Sequence, residues 1–492
     1  MTEGARCRRG GKRSASGLAR LVAAAVITAA LAAGGAGLAL AQPGAPPGGQ
    51  PGGQPETQPA AQPGAGTGTQ PVTQPAAPET GPGTRIDLEQ AIALALARSE
   101  RARIAEQSAV AAEARVARAR AFFFPEVSLS GSYTPWAGEF RGGEHALQSS
   151  NRLQAALSLG VTIFDARSRP LYRQARLDSE AARFEALDDK RLIAFDAAAA
   201  YVATLGLEQV VAAAERRVEL ARQNTADARG RVEAQLTSSN DLTRIELELA
   251  AAERELTRAR AELDTGYLQL GYLLDEGIAG PLEPPEALLA EAAAPPAEAA
   301  TLIAEARTRR LDIAAGFKRT EALQAFAAEP DARLWPRLEL QGQLGATNES
   351  AFGDPSADWL VGVTLSWVLW DGGVRAAERR ERRATATSAE LGTRAVVRQV
   401  ARDVGSALVA LRRSQATVQQ SEAVVAAARR NADESAILYR EGLARAIEVA
   451  DASARLFDAE VALARERYGL ALALLDLRAA LGLDPLGKEM TR

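Results

Sequence analysis

The sequence has almost no cysteine or histidine, two of the residue types that often carry catalysis or bind metal ions. Its only cysteine is Cys7 and its only histidine is His145. We expect the segment that contains Cys7 to be removed, which would exclude disulfides, zinc–thiolate sites and a lipid-modified first residue from the mature chain. A lone imidazole without a second oriented partner is more simply incidental than catalytic.

The net charge is also small for the length of the chain. The 492 residues include 58 Lys and Arg against 62 Asp and Glu, a formal net charge of −4. This balance argues against a nucleic-acid surface, which needs a strongly basic face. No metal-ligand cluster, phosphate loop or Ser-His-Asp set is evident in the sequence, and most Glu and Arg residues have the spacing of solvated helix faces. We therefore expect no enzyme and no cofactor.

The amino-terminal region has two distinct compositions. A basic start precedes an apolar run at residues 21–33 and small residues at 39–41, an order typical of a secretory signal peptide. The apolar run is shorter than the ~20 residues of a transmembrane helix. The following segment is rich in Pro, Gly and Gln and has too little apolar surface to offset the entropy of ordering. We predict a signal peptide at residues 1–41 and a disordered tether at 42–84.

The rest of the chain repeats itself at a spacing near two hundred residues. This period is too long for a solenoid unit and indicates a duplicated half-domain. Three pairs of anchors define the register: Phe124-Pro125 with Trp335-Pro336, Ile163-Phe164-Asp165 with Leu369-Trp370-Asp371, and Leu236 with Leu443. The predicted boundaries are a first repeat at residues 85–279, a proline-rich linker at 280–300, a second repeat at 301–485 and a tail at 486–492.

Each repeat contains two segments in which apolar and polar residues alternate. The predicted strands cover about residues 126–134 and 153–164 in the first repeat, and 337–347 and 359–370 in the second. Strands of about 9 to 11 residues with one apolar face fit a membrane-spanning barrel, and the alternative is a half-buried sheet of a soluble protein. The residues predicted to face lipid are Val127, Leu129, Leu157, Leu159, Leu340 and Val363.

Long helices are predicted between the strand pairs. No proline interrupts residues 170–236, which as a helix at ~1.5 Å per residue would form a rod of roughly 100 Å, and residues 373–442 predict a second rod. Each rod turns at a short break, at 235–240 or 442–446, and returns as a shorter helix. Their Ala, Arg, Glu and Leu content favours helix and close coiled-coil packing. A soluble coiled-coil spacer fits this part of the sequence equally well.

Four strands cannot form a closed barrel by themselves. A sheet that faces lipid cannot leave its edge amides unpaired, so it must close on itself. Bacterial barrels have at least eight strands, so closure requires several copies of this chain. Two to four copies satisfy this requirement.

A series of short motifs resembles the TolC-like outer-membrane efflux proteins over residues 86–484. They are the opening at residues 86–92, the strand starts at Phe124-Pro125 and Trp335-Pro336, and the segments 365–373, 439–451 and 481–484. The resemblance implies a mainly α fold with a membrane β-barrel. Each duplicated half would supply two transmembrane strands and long coiled-coil helices, and three copies would close a 12-stranded barrel on an α-helical barrel.

The resemblance also implies a function. The chain would be the outer-membrane exit duct of a tripartite efflux pump or type I secretion system, with its helical barrel in the periplasm. Its partners would be two further copies of itself, a periplasmic adaptor (membrane fusion protein), an inner-membrane pump and outer-membrane lipid. The alternatives are a periplasmic coiled-coil adaptor, which needs a retained anchor and a lipoyl-like β-domain, and a soluble hydrolase, which needs a polar catalytic cluster.

The pore gate is predicted at the second helical turn. Glu448 and Asp451 are three residues apart and share one face of a helix. Repeated by symmetry, they would form stacked acidic rings, as in cation-favouring pores. They match the acidic gate residues of the family, and the alternative is two exposed acids on a coiled coil.

The resemblance further implies a latch that holds the closed state. Asp241 and Tyr439 match family positions that take part in it. The arginine partner is displaced, because Ala444 stands at its position and Arg445 follows. Either Arg445 supplies the bond from one residue away, or this channel closes differently.

Overall fold

The computed structural model describes residues 86–135, 140–142, 145–148, 151–278, 280–347 and 356–489. The predicted signal peptide and tether lie outside these residues. The described chain forms two compact units, and both predicted repeats contribute to each. The strand unit consists of residues 122–166 and 335–368, and the helical unit consists of residues 86–121, 167–334 and 369–489.

The strand unit contains a four-stranded antiparallel sheet with the order β1-β4-β5-β6. Between β1 and β4, in the segment that separates the first two predicted strands, lies the short hairpin β2–β3. The strands are β1 (Glu126–Pro135), β2 (Phe140–Gly142), β3 (His145–Gln148), β4 (Asn151–Phe164), β5 (Arg337–Thr347) and β6 (Ser356–Ser366).

Strand β6 ends four residues before the predicted end at residue 370. Its last residue, Ser366, pairs with Arg337, the first residue of β5. Pro336 precedes Arg337 and has no backbone N–H to continue the ladder. The following residues 367–370 are apolar throughout, so their sequence does not mark the end of the strand.

The register places the apolar residues of all four strands on one face. Directly paired residues of antiparallel strands project to the same side of a sheet. The pairs are Val127 with Leu159, Leu129 with Leu157, Leu340 with both Val161 and Val363, and Leu344 with both Leu157 and Trp359. All six residues predicted to face lipid therefore share this face, which we call the apolar face. Val127, Leu129 and Val363 are 63%, 65% and 59% exposed.

The helical unit contains two helical hairpins of nearly equal dimensions. Their long helices have 66 and 67 residues, and their returning helices have 36 each, as expected for a duplicated sequence. The helices are α1 (Leu88–Arg98), α2 (Glu100–Ala121), α3 (Ser168–Glu233), α4 (Ser239–Leu274), α5 (Glu286–Ala293), α6 (Ala299–Arg309), α7 (Leu311–Ala327), α8 (Glu329–Ala332), α9 (Val374–Arg440) and α10 (Ala446–Leu481).

The core of this unit draws on both repeats and on the segment predicted as a linker. Tyr201 of α3 is fully buried, and its hydroxyl lies 2.7 Å from the carbonyl oxygen of Ile86 and 2.6 Å from that of Glu283. Helix α5, which lies within the predicted linker, buries Leu288 and Ala292 in the same core. The linker is therefore part of the folded unit. One window of α3 is apolar enough to cross a membrane, but more than half of it is buried here, as in a core helix.

A buried carboxylate joins α8 to the start of α9. The side chain of Glu329 is 4% exposed and accepts hydrogen bonds from Arg333 at 2.8 Å and from Arg382 at 2.6 Å. The Arg382 guanidinium also lies 3.9 Å from the centre of the Phe326 ring. Burial opposes ionisation of Glu329, but the two guanidinium groups outweigh it, so the pKa of Glu329 lies below its ordinary value.

We expect Glu329→Gln to destabilise the protein at pH 7, because two partly buried guanidinium groups would lose their carboxylate. Because the pKa of Glu329 is lower in the folded state than in the unfolded state, ionised Glu329 stabilises the fold. This contribution is fully present above the unfolded-state pKa of about 4.5 and is lost as the pH falls through the folded-state pKa. The wild type should therefore lose more thermal stability than the variant between about pH 6 and about pH 3. Glu185→Gln, which breaks an exposed pair with Arg319, should change neither quantity. Equal acid sensitivity in wild type and Glu329→Gln would contradict the assignment.

Candidate gate at the helical turns

Both helical hairpins reverse direction through the same type of turn. The backbone N–H of Leu236 donates to the carbonyl of Arg231, and that of Leu443 donates to the carbonyl of Leu438, each at 2.8 Å. Such bonds close a Schellman-type helix end, in which one residue adopts a left-handed backbone. The side chains of Leu236 and Leu443 are 73% and 77% exposed. Each turn therefore presents one apolar side chain at its tip.

The two turns differ at the left-handed residue. In the second turn this residue is Gly442, with φ 77°, whereas in the first it is Gln235, with φ 56°. Glycine adopts this backbone without steric cost, but the Cβ of other residues contacts the following carbonyl oxygen at a cost of roughly 1 to 2 kcal/mol. The first turn is therefore the more strained of the two.

A small apolar cluster, which we call the turn cluster, packs the two hairpins together near these turns. Its members come from the ends of α3 and α9 and from the starts of α4 and α10. The buried residues of the turn cluster are Ala228, Ile245, Tyr439, Ala446 and Val449. Because all four helices contribute, a displacement of one turn disturbs the packing of the other.

Asp241 and Glu448 occupy equivalent positions in the two repeats but have different surroundings. Each lies in the first turn of a returning helix, where the helix dipole favours a negative charge. Asp241 is half-buried and accepts a hydrogen bond from the Thr237 hydroxyl at 2.9 Å. Glu448 is exposed, and its side chain has no hydrogen bond or ion pair within the part of the chain that the structure describes. Of the two acids, only Glu448 is therefore both exposed and without a side-chain partner among the described residues.

Glu448 and Asp451 lie together on the exposed side of α10. The neighbouring residues Ala446, Val449 and Ala452 are buried and form the side that packs against the rest of the unit. At the position in α4 equivalent to Asp451, the first repeat has Arg244. The pair of acids is therefore a property of the second turn alone.

Tyr439 is buried in the turn cluster and is 6% exposed. Its hydroxyl is buried and has no hydrogen-bond partner among the described residues. Burial raises the pKa of Tyr439; Arg231 opposes this effect, and Asp241 and Asp227 add to it. The predicted latch residues Asp241 and Tyr439 are therefore close enough to interact through charge, but no hydrogen bond joins them within this chain.

The arginine beside Tyr439 is Arg231, which the sequence analysis missed. Its Nη1 donates to the carbonyl oxygen of Tyr439 and its Nη2 to that of Arg440, the latter at 2.8 Å. Its guanidinium carbon lies 5.1 Å from the centre of the Tyr439 ring. Arg445, the predicted latch arginine, is exposed at the start of α10, and its side chain has no hydrogen bond or ion pair within the described chain. That Arg445 supplies the latch bond, or that the channel closes differently, stays a prediction.

Comparisons with known proteins agree with this architecture. Residues 302–483 match the family described as "Outer membrane efflux protein". No curated protein sequence matches the chain.

Several solved structures share the fold over most of the chain. A structure of CusC, described in connection with transmembrane channel formation, matches with TM-score 0.69 and 17% identity, covering 81% of this chain and 93% of CusC. The outer membrane protein VceC from Vibrio cholerae matches with TM-score 0.66 and 18% identity, covering 81% and 96%. The open state of the MtrE outer membrane channel from Neisseria gonorrhoeae matches with TM-score 0.67 and 18% identity, covering 82% and 91%.

The chain has the fold of the TolC-like outer-membrane efflux proteins, and its second half matches the sequence pattern of that family. This confirms the resemblance on which the sequence analysis relied. It also confirms the predicted fold class, a mainly α duplicated chain in which each half supplies two strands and long coiled-coil helices.

The strain at Gln235 leads to a test of the turn geometry. Gln235→Gly should raise the free energy of unfolding by roughly 0.5 to 1 kcal/mol, because glycine adopts the left-handed backbone freely. Gly442→Gln, the reciprocal change, should lower it by a similar amount. Denaturant unfolding of both variants measures the two effects. A destabilised Gln235→Gly protein would contradict the left-handed assignment at the first turn.

Proposed function

We propose that the chain is the outer-membrane exit duct of a tripartite efflux pump or type I secretion system. The observation that most directly supports this proposal is a four-stranded sheet whose apolar face is exposed, in a chain that also folds into two long helical hairpins. Substrates would pass from the periplasm or an inner-membrane pump to the exterior without any chemical step on the duct. The barrel lies in the outer membrane, and the helical barrel lies in the periplasm.

The sheet edges support assembly from several copies. Among the described strands, β1 and β6 each pair on one side only. In lipid the free edges must be paired, so each β6 would bind the β1 of a neighbouring copy. Three copies, the number that the family resemblance implies, supply twelve strands.

The face opposite the apolar face is suited to line a water-filled passage. One row of paired residues across the sheet contains Ser128, Ser158, Gln343 and Leu360, and the next contains Glu126, Gly160, Gln341 and Gly362. All of these residues except Leu360 are small or polar, as in the interior of membrane channels. A depression of about 300 Å³ lies over the two rows.

The helical tips support an interaction with a periplasmic adaptor. Leu236 and Leu443 are exposed at equivalent positions of two turns that have the same backbone geometry. An exposed leucine at each turn of every copy would give the assembled duct a ring of apolar contacts for the adaptor. An inner-membrane pump would supply the energy for transport.

The exposed apolar face also separates this function from the alternatives. A periplasmic adaptor or a soluble hydrolase would have no reason to expose Val127, Leu129 and Val363 side by side on one sheet. The family of outer-membrane efflux channels consists of proteins that are not enzymes. In the described residues, no group of three or more His, Cys, Asp or Glu side chains could hold a metal ion.

Membrane fractionation and planar-bilayer recordings test the proposal directly. We expect the full-length protein to reach the outer membrane, to run as heat-resistant trimers on gels and to form pores. A soluble periplasmic protein that forms no pores would overturn the proposed function.

The first variant test concerns the orientation of the sheet. Leu340→Arg should abolish or strongly reduce trimer assembly, because a charge near the lipid midplane costs ~2 to 4 kcal/mol per copy. Gln341→Arg is the matched control, since the adjacent residue of the same strand projects from the opposite face. Heat-resistant trimers on gels are the measurement. Equal assembly of the two variants would show that the apolar face does not contact lipid.

The second variant test concerns the gate. We infer that Glu448 and Asp451 of three copies form stacked acidic rings that attract cations and repel anions. Glu448→Gln with Asp451→Asn should reduce cation selectivity and block by multivalent cations from the periplasmic end. The effect should be largest at low salt, because the Debye length is ~10 Å at 0.1 M.

The control for the gate removes two charges elsewhere. Glu246→Gln with Glu253→Gln changes the net charge equally, but both acids are exposed on α4 and are paired with arginines of α3. Reversal potentials in a salt gradient should change for the gate variant and remain unchanged for the control. If the gate variant assembles and keeps wild-type selectivity and block, the two acids do not belong to the gate.

A further inference from the structure

We propose that Arg231 is the clamp that holds the second helical turn against the first and keeps the duct closed. This proposal rests on the proposed function. Arg231 would take the role of the latch arginine, whose position in the family is occupied by Ala444 in this chain. It assigns Arg231 a positioning role, since its guanidinium acts through α9 on the start of α10.

The guanidinium of Arg231 binds the end of α9 through two parallel hydrogen bonds. It donates to the carbonyl oxygens of Tyr439 and Arg440, which belong to the last turn of that helix. Carbonyls in the last helical turn carry the negative end of the helix dipole, and that of Tyr439 accepts the N–H of Gly442 at 3.0 Å as well as the guanidinium. The planar fork of an arginine satisfies two such acceptors at once, which a lysine ammonium does not do in the same geometry.

The same guanidinium also packs against the ring of Tyr439 at 5.1 Å. Tyr439 is buried in the turn cluster with residues of α3, α4 and α10. A partly desolvated cation over an aromatic ring adds attraction to the two hydrogen bonds. Arg231 therefore contacts both the backbone of α9 and the side chain of Tyr439, the last buried residue of that helix.

Because Arg231 lies near the end of α3, its contacts link the ends of the two long helices α3 and α9. The long helices α3 and α9 pack only sparsely against each other, and each makes most of its contacts with its own returning helix and with α7. A bond between their ends therefore adds a direct link between α3 and α9 to the packing of the turn cluster, where α10 already contacts the first hairpin. The backbone carbonyl of Arg231 also accepts the N–H of Leu236 and closes the first turn. One residue thus closes the first turn with its backbone and holds the second with its side chain.

The clamp also determines where the acidic pair lies. Glu448 follows Arg440 by only eight residues, and the intervening turn is short. If the end of α9 is released, the start of α10 can move away from the first hairpin and carry Glu448 and Asp451 with it. In three copies, this displacement would widen the ring at the periplasmic end.

A nearby arginine provides a matched control. Arg229 is two residues from Arg231 on the same helix, and it pairs with Glu246 of α4 at 3.1 Å. This pair lies within the first hairpin and does not reach α9. Arg229→Gln therefore removes the same charge from the same helix turn without releasing the second hairpin.

Single-channel recordings in planar bilayers test the clamp in the full-length trimer. We expect Arg231→Gln to conduct several-fold more than wild type, Arg231→Lys to conduct at an intermediate level, and Arg229→Gln to conduct as wild type does. Partial rescue by lysine follows because it retains the charge but loses the fork and the planar stacking. If Arg231 only stabilises the fold, Arg231→Gln will lower the unfolding temperature and leave conductance unchanged, and this result would overturn the inference.

Two further outcomes keep the test decisive. If Arg231→Gln does not assemble, Arg231→Lys carries the test, and wild-type conductance of that variant would overturn the clamp. If wild type and all variants form no pores, the proposed function itself fails. Pores of equal conductance in wild type and the assembled Arg231→Gln variant would refute the clamp alone and leave the proposed function intact.

Discussion

The pairing of backbone amides at the edges of a four-stranded sheet is the constraint on which the rest of the structure depends. Strands β1 and β6 each lack one neighbour among the described strands, and the sheet exposes an apolar face. Lipid offers no hydrogen bonds to such edges, so the sheet is stable there only within a ring of copies. Since the helical hairpins belong to the same chains, the symmetry of that ring also applies to the turns and to the acids near them.

Much of the strand unit could be predicted because its information is local. Alternation of apolar and polar residues indicated all four long strands and the six residues of the apolar face, which the register then brought together. The prediction from sequence is wrong where pairing with a neighbouring strand determines where a strand ends or which residue lies opposite its partner. Strand β6 ends where Pro336 interrupts its partner, and a bulge places Phe164 opposite Leu338, where strict alternation would place Ile163. Neither effect has a signature in the strand's own sequence.

The helical turns show the same division between local and long-range information. The positions of the turns, and of Glu448 and Asp451 on one exposed helix face, could be read from the spacing of the sequence and from the family motif. Arg231 could not, because its partners lie more than two hundred residues away and are backbone carbonyls, which any residue possesses. The resemblance directed attention to Arg445, which is close in sequence to Tyr439 but has no bond to it within the described chain.

The divergence of Asp241 and Glu448 after duplication has an electrostatic consequence. In the proposed ring of three copies, the hairpins would alternate between a first type, with a hydrogen-bonded acid and Arg244, and a second type, with two acids whose side chains have no partner in the described chain. If Glu448 and Asp451 form the proposed gate, free carboxylates would face the axis only at every second hairpin. Identical hairpins would crowd twice as many like charges into the narrowest part of the assembly, and their mutual repulsion would oppose closure. In the proposed duct, unequal halves would thus permit an acidic constriction that can still contract.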